Sequence, residues 1–243
     1  MIRHVIRGIA IAAGAADVPL ALAVPGSAEI VWGDNHIGNQ AGAPTAVVDP
    51  FGYTTNLTGQ GPAARAVYRA VGGHIEELSL LIPNQGWRAA DLTALTDAPA
   101  AASAPFGFTT TLTGQDPAAR VVYRTASGHI EELASSGGSW SAVDLTALTG
   151  APTAAGTPFG YTTTLTDQGP AARVVYRTAG RHIEELALPS GGAWQADDLT
   201  AVSGAPDTAS APFGYTTSLT GQVPAARVVY RAAGNDIEEL SAG

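Results

Sequence analysis

The sequence predicts an all-β fold made of four copies of one unit, and three observations lead to this prediction. A segment of the form RVVYR…HIEEL occurs four times, and its tyrosines lie 55, 53 and 54 residues apart, at Tyr68, Tyr123, Tyr176 and Tyr230. Aromatic and β-branched residues fill these segments, Gly and Pro separate them, and no 3.6-residue apolar period is sustained. Four-stranded sheets that recur at roughly this length are typical of β-propeller blades, whose periods are about 40–50 residues.

Each unit contains four predicted strands. In the third unit they lie at PFGYTT, RVVYR, HIEEL and from Trp194 into DLT. Three units are complete and the fourth lacks its last strand, which gives blades over 50–92, 105–146, 158–200 and 212–240. We expect the segment 32–37 to supply the missing strand, because a ring closed in this way has no free sheet edge. The prediction is a four-bladed propeller over residues 29–243, and the alternatives are a fifth blade built from residues 1–31 or a partial ring completed by another subunit.

The central hairpin of each unit decides which side chains share a face. With a four-residue loop at 178–181, Arg177 pairs with His182, and Val175 faces Glu184. The first glutamate of each HIEEL segment then shares a face with the flanking arginines and forms an ion pair, while the second lies on the tyrosine face without a basic partner. We therefore expect the second glutamates to be available to a ligand: Glu77, Glu132, Glu185 and Glu239.

Composition and motifs exclude several classes of function. Twelve basic and twenty-one acidic residues give a net charge of −9, and no basic cluster is present, so nucleic acid is not an expected partner. The absence of cysteine excludes disulfides, thiolate metal sites and cysteine nucleophiles. Three of the five histidines hold equivalent places in successive units, which spreads them around the fold instead of bringing unlike ligands together. The sequence predicts no catalytic site, no metal and no cofactor.

Residues 1–28 have two interpretations. Two arginines, an apolar stretch and small residues ending at Ala28 form the layout of a secretory signal peptide, which predicts a secreted or surface protein cleaved after Ala28. Asp17 and Pro19 interrupt the apolar stretch, so a degenerate leader from a preceding repeat is the other interpretation, and it leaves a cytoplasmic location open. The stretch is too short and too interrupted for a transmembrane helix.

The tryptophans are the second set of candidate ligand-binding residues. Each stands 12 residues before a proline and 19 before a phenylalanine, and the four are Trp32, Trp87, Trp140 and Trp194. An indole ring stacks well on the apolar face of a sugar, although a tryptophan in a strand also serves packing. Four equivalent clefts would make a multivalent binder, in which avidity exceeds the affinity of one site.

The repeat resembles that of the fucose-binding six-bladed propeller lectins of fungi and soil bacteria. Their repeat has an Arg-Val-Tyr strand, a hairpin, an Ile-x-Glu strand and a Trp-bearing strand, and Ile183-Glu184-Glu185 and its equivalents match the Ile-x-Glu element. The resemblance implies a propeller that holds sugar between blades by Arg, Glu and Trp, with the second glutamates and the tryptophans carried over. The family's arginine position, two before the tyrosine, holds Ala66, Val121, Val174 and Val228, so fucose specificity is not expected to carry over. The repeat is also similar to uncharacterised bacterial propeller repeats of the form YR…GHIxEL…W…DLT.

The predicted function is therefore multivalent, lectin-like carbohydrate binding without catalysis. Its expected partners are glycans or glycoconjugates, and a homo-oligomer is one of the architectures that would close the ring. The alternative is a protein-interaction or structural propeller, in which the glutamates and arginines are only ladder pairs.

Overall fold

The computed structural model describes residues 33–81 and 85–243, and its strands form four antiparallel sheets. The first three sheets have four strands each and the fourth has three. The first two sheets consist of β1 Phe51–Leu57, β2 Gly61–Arg69, β3 Ile75–Leu80, β4 Arg88–Asp91, β5 Phe106–Thr110, β6 Ala118–Arg124, β7 Ile130–Ser135 and β8 Trp140–Asp144. The others consist of β9 Phe159–Leu165, β10 Gly169–Arg177, β11 Ile183–Pro189, β12 Gln195–Asp198, β13 Phe213–Thr217, β14 Ala225–Arg231 and β15 Ile237–Ala242.

Within every sheet the strands pair in chain order, so each sheet is a meander of consecutive hairpins. This confirms the prediction of an all-β fold built from repeated antiparallel sheets. None of the helices in the described residues is long and apolar enough to cross a membrane. The predicted signal peptide or leader over 1–28, and Trp32, lie outside the described residues.

A short helix follows the outer strand of each complete sheet, where the sequence predicted that the strand continues through DLT. These helices are α2 Leu92–Thr96, α3 Leu145–Thr149 and α4 Leu199–Ser203, and a further helix, α1 Ile37–Ala41, precedes the first sheet. The aspartate of each DLT ends the strand because its side chain accepts a hydrogen bond from the backbone N–H three residues later, as in Asp144 and Ala147 at 2.8 Å. The outer strands are therefore shorter than predicted.

The strand predicted over 32–37 is not formed in the part that the structure describes. Residues 33–36 have no regular secondary structure and Ile37 begins α1. Ile37 follows Trp32 by the same five residues that separate Trp87 from Leu92, the first residue of α2. The Ile37 side chain packs against the cluster of Tyr68 in the first sheet, so this segment repeats the helical part of the unit and not its strand.

Neighbouring sheets pack face to face. We call the face of a sheet that contacts the following sheet its forward face, and the opposite one its rear face. In the second sheet the forward face presents Phe106 and Val122, which pack on Val174 and Leu186 of the rear face of the third sheet. A column of phenylalanine rings runs through all four sheets, with ring centroids 3.8, 3.9 and 3.9 Å apart, from Phe51 through Phe106 and Phe159 to Phe213.

A second aromatic ring of each sheet rests on a glycine of the next. A Cβ atom added to Gly107 would lie 2.5 Å from the ring of Tyr53, and one added to Gly160 would lie 2.3 Å from the ring of Phe108. The same contact places Gly214 against Tyr161, again at 2.3 Å. These glycines allow the sheets to approach closely, because any side chain would overlap the aromatic ring.

The forward face of the fourth sheet is uncovered among the described residues. Ile237 is 75% exposed, whereas the equivalent Ile75, Ile130 and Ile183 are 0% exposed. Phe213, the last ring of the column, is 51% exposed. The isoleucine at this repeat position is therefore buried in the first three sheets and exposed in the fourth.

Candidate functional site

The central hairpins have three-residue loops, one residue shorter than predicted. Arg177 pairs with Ile183, Val175 pairs with Glu185, and Thr178 and His182 close the loop through backbone hydrogen bonds. The third loop residue has a positive φ in every unit, at Gly73, Gly128, Arg181 and Asn235, as expected for a turn that ends in the left-handed region. A shift of one residue moves every side chain of a strand to the other face, so the predicted faces of the two glutamates are interchanged.

The second glutamate of each unit forms an ion pair with the arginine twelve residues before it. The Nη1–carboxylate distance is 2.5 Å in Arg65–Glu77 and 2.6 Å in Arg120–Glu132, and Arg173–Glu185 and Arg227–Glu239 repeat the contact. The prediction that the first glutamate forms this pair is wrong, as is the prediction that the second lacks a basic partner. The arginine stands three residues before the tyrosine instead of two, so each unit does contain an arginine beside the second glutamate.

Each arginine is also anchored to the first strand of its sheet. The Nε atom donates to a threonine hydroxyl, as from Arg120 to Thr110 at 2.8 Å. Arg120 and Glu132 are 6% and 3% exposed. Burial raises the pKa of the Glu132 carboxyl, although the Arg120 guanidinium opposes this shift. Because both side chains are buried, each charge is stabilised mainly by the opposite charge of its partner and not by water.

The units differ in what else binds the second glutamate. In three of them a tyrosine hydroxyl donates to the carboxylate at 2.8 Å, from Tyr53 to Glu77, from Tyr161 to Glu185 and from Tyr215 to Glu239. In the second sheet Phe108 occupies the tyrosine position, so Glu132 accepts only the hydrogen bond from Arg120 among the described residues. Sequence reasoning missed this difference because it had placed the arginine and the glutamate on opposite faces.

Two of the predicted tryptophans lie at interfaces between sheets, and Trp194 contacts the arginine of an Arg–Glu pair. Trp194, on the rear face of the third sheet, lies against the Arg120 guanidinium, whose Cζ is 5.9 Å from the ring centroid, within the range of a cation–π contact. Trp140 packs at the equivalent interface between the first two sheets, in the cluster that contains Val67 of the first. Trp87 instead packs near α1, with Ile37 and Tyr68.

A polar cavity adjoins Arg120. Its volume is about 380 Å³, and its lining includes Gln115, Asp116, Arg120, Ser136, Ser139 and Ser141. This volume lies within the range of about 300–1,000 Å³ that small-molecule sites occupy. The cavity next to Arg173 and Glu185 is smaller, at about 150 Å³, and its other lining residues are mostly apolar.

The first glutamates lie on the rear faces, away from the arginines. Glu131 is 3% exposed and pairs across the ladder with Tyr123 on one side and Asp144 on the other. Burial and the nearby Asp144 carboxylate raise the pKa of Glu131 to about 7. Its Oε2 has no hydrogen-bond partner among the described residues, and the same is true of Glu184. These glutamates are buried structural groups, each with one carboxylate oxygen that lacks a hydrogen-bond partner among the described residues.

Glu131 and Glu184 make stability depend on pH. Both have a folded-state pKa of about 7, above the ordinary value of 4.5, so their protonated forms favour the folded state. This contribution is complete below pH 4.5 and is lost as the pH rises through 7. We expect the double variant Glu131→Gln/Glu184→Gln to be more stable than the wild type at about pH 8, by about 1–2 kcal/mol for each site.

Chemical denaturation of both proteins at several pH values measures this effect. The Asp198 side chain and, to a smaller extent, the Glu184 carboxylate raise the pKa of His182, so Glu184→Gln also changes the titration of this histidine. The single variant Glu131→Gln leaves Glu184 and His182 unchanged and therefore measures the contribution of Glu131 alone. A wild type and a variant whose free energies of unfolding fall in parallel with pH would contradict the assignment.

The histidines have a structural role in the helix caps. His129 Nδ1 lies 2.6 Å from Asp144 Oδ2, and the other carboxylate oxygen of Asp144 caps α3. His74 and His182 repeat the contact with Asp91 and Asp198. In the described ranges 33–81 and 85–243, no three His, Asp or Glu side chains are grouped so that they could hold a metal ion.

Comparison with known proteins identifies the fold. No protein-family profile matches the chain, and no curated protein matches it. AofleA from Arthrobotrys oligospora superposes with a TM-score of 0.55 at 13% identity, over 80% of this chain and 52% of that one. The lectin of Aleuria aurantia, solved as a variant in complex with α-methyl-L-fucoside, gives 0.51 at 17% identity, over 79% of this chain and 57% of that one. The chain thus spans little more than half the length of these proteins, and it has the fold of the fucose-binding β-propeller lectins to which it is similar.

Proposed function

We propose that the protein binds carbohydrate in clefts between neighbouring sheets and has no catalytic activity of its own. The observation that carries the proposal is the meeting of Arg120 and Glu132 on one sheet with Trp194 on the next, beside a polar cavity of about 380 Å³. The lectin of Aleuria aurantia, which has a similar fold, was solved with α-methyl-L-fucoside, and this supports a sugar as the ligand.

The chemistry of the cleft suits sugar hydroxyls. A guanidinium group donates hydrogen bonds and a carboxylate accepts them, while an indole ring covers apolar C–H groups. We infer no catalysis because glycoside hydrolysis uses two carboxyl groups that flank the bond, and the Arg120–Glu132 pair supplies only one.

A structural or protein-interaction propeller is the alternative, and one observation favours it. The Arg65–Glu77 pair is almost wholly buried, and both carboxylate oxygens already have hydrogen-bond partners in the protein. In such a protein the ion pairs would only hold each sheet together.

Glycan binding by tryptophan variants tests the proposal. We expect the wild type to bind one class of glycans on an array, and the double variant Trp140→Ala/Trp194→Ala to bind at least about tenfold more weakly, because both clefts lose their stacking surface. Trp87→Ala is the matched control, since Trp87 packs near α1 and no Arg–Glu pair contacts it among the residues that the structure describes. A blank array from a folded wild type would refute carbohydrate binding and favour the scaffold.

Ring closure, valency and location stay predictions. The exposed forward face of the fourth sheet resembles the faces that other sheets bury, so a second subunit could cover it, and the mass in solution decides between monomer and homo-oligomer. The layout of residues 1–28 supports secretion, which would bring the clefts to extracellular glycans.

A further inference from the structure

We propose that Phe108 makes the cleft between the second and third sheets the single ligand-binding cleft of the described repeats, and that its ligand is a neutral sugar with two adjacent hydroxyls. This inference rests on the proposed function and assigns it to one site. It differs from the multivalent binder that the repeated sequence predicts.

In the first cleft both carboxylate oxygens and all three guanidinium nitrogens already have hydrogen-bond partners. Arg65 donates from Nε to Thr55, from Nη1 to Glu77 and from Nη2 to Gln60, at 2.9, 2.5 and 3.1 Å. The second oxygen of Glu77 accepts from the Tyr53 hydroxyl at 2.8 Å. Trp140 is at this interface, but a ligand hydroxyl would have to compete with hydrogen bonds that the protein already makes to the same atoms.

The second cleft keeps both a donor and an acceptor free. Arg120 uses Nε and Nη1, for Thr110 and Glu132, and its Nη2 has no partner among the described residues. Glu132 Oε2 also has none, because Phe108 lacks the hydroxyl that a tyrosine would supply. The Phe108 ring rests on Gly160 just as Tyr53 rests on Gly107, so the two clefts do not differ in this packing. They differ in the missing hydroxyl and in the Gln60 side chain, which accepts from Arg65 Nη2 in the first cleft.

The remaining pairs lack the tryptophan. Tyr161 donates to Glu185, and the fourth sheet, which faces this pair, has no Trp-bearing strand in the part of the chain that the structure describes. The Arg227–Glu239 pair lies on the uncovered forward face of the fourth sheet and also accepts a tyrosine hydroxyl. Neither therefore combines free polar groups with an indole ring.

The two free atoms define the ligand. One sugar hydroxyl accepts a hydrogen bond from Arg120 Nη2, and a neighbouring hydroxyl donates one to Glu132 Oε2. The second hydrogen bond takes the place of the one that a tyrosine hydroxyl makes in the other units. The ion pair is neutral as a whole, and Asp116 lines the adjoining cavity, so an anionic sugar gains no net attraction. A neutral vicinal diol is the chemistry that fits.

Titration calorimetry with methyl glycosides of neutral sugars, α-methyl-L-fucoside first and sialic acid as the charged comparison, tests the inference. We expect about one ligand per chain, and Phe108→Tyr to weaken binding at least about tenfold, since the new hydroxyl occupies the free carboxylate oxygen. Tyr215→Phe is the matched control, because its pair faces no tryptophan, and its affinity should equal that of the wild type.

The melting temperature gives a second readout that needs no sugar. Phe108→Tyr should raise it by about 2–4 °C through the added hydrogen bond. A wild type that binds several sugars per chain, or a Phe108→Tyr variant with unchanged affinity, overturns this inference and leaves carbohydrate binding intact. A wild type that binds none of the sugars overturns the proposed function, and an unchanged melting temperature shows that Glu132 has no free acceptor.

Discussion

Replacing Arg65 by methionine should lower the free energy of unfolding by about 3–5 kcal/mol, because it leaves the Glu77 carboxylate buried without its cation. Glu77 is 3% exposed, and Tyr53 would remain as its hydrogen-bond donor. Urea denaturation at neutral pH measures the loss. The second substitution Glu77→Gln, made in the same chain, should recover part of it because the uncompensated charge disappears.

The fourth sheet contains the matched control. Arg227 makes the same ion pair with Glu239, but their side chains are 21% and 37% exposed. Because water solvates an exposed carboxylate, Arg227→Met should cost no more than about 1 kcal/mol. Equal losses at Arg65 and Arg227 would show that burial does not control the strength of these pairs.

Replacing Gly160 by alanine should lower the free energy of unfolding by about 1–3 kcal/mol, because the new methyl group overlaps the Phe108 ring. The Cβ would lie 2.3 Å from the ring, which is itself held between two sheets. Thermal or urea unfolding, with near-ultraviolet circular dichroism as the probe of aromatic packing, measures the change.

Gly52 is the equivalent glycine of the first sheet and serves as the control. Its added Cβ would contact only the Arg65 carbonyl oxygen among the described residues, at 3.9 Å, because no sheet in that part of the chain precedes the first one and places a ring there. Gly52→Ala should therefore change stability by no more than about 0.5 kcal/mol. Comparable destabilisation by the two alanines would mean that the backbone, and not the aromatic contact, requires glycine.

The repeat and the all-β fold were predictable because each unit carries the same cues in the same order. The spacing of Tyr68, Tyr123, Tyr176 and Tyr230 alone indicates the number of sheets present, and the structure has one sheet for each. The start of α1 at Ile37 was also predictable, because Ile37 follows Trp32 by the same five residues that separate Trp87 from the first residue of α2.

The hairpin register was not predictable from alternation. Sheets packed on both faces carry apolar residues on both sides, so Val175 and Tyr176 give no sign of which face points where. Three- and four-residue loops are both common in hairpins. The available signal was a Gly or Asn at the third loop position in three of four units, and the resulting shift moved the arginines onto the face of the second glutamates.

The phenylalanine column described above makes the stack modular. Within the column, each ring stacks on the rings of the neighbouring sheets, from Phe51 to Phe213. Contacts of this nearest-neighbour kind make stability a sum over repeats and the interfaces between them. A unit added to this stack would therefore meet the same kind of ring and glycine that the present units offer one another.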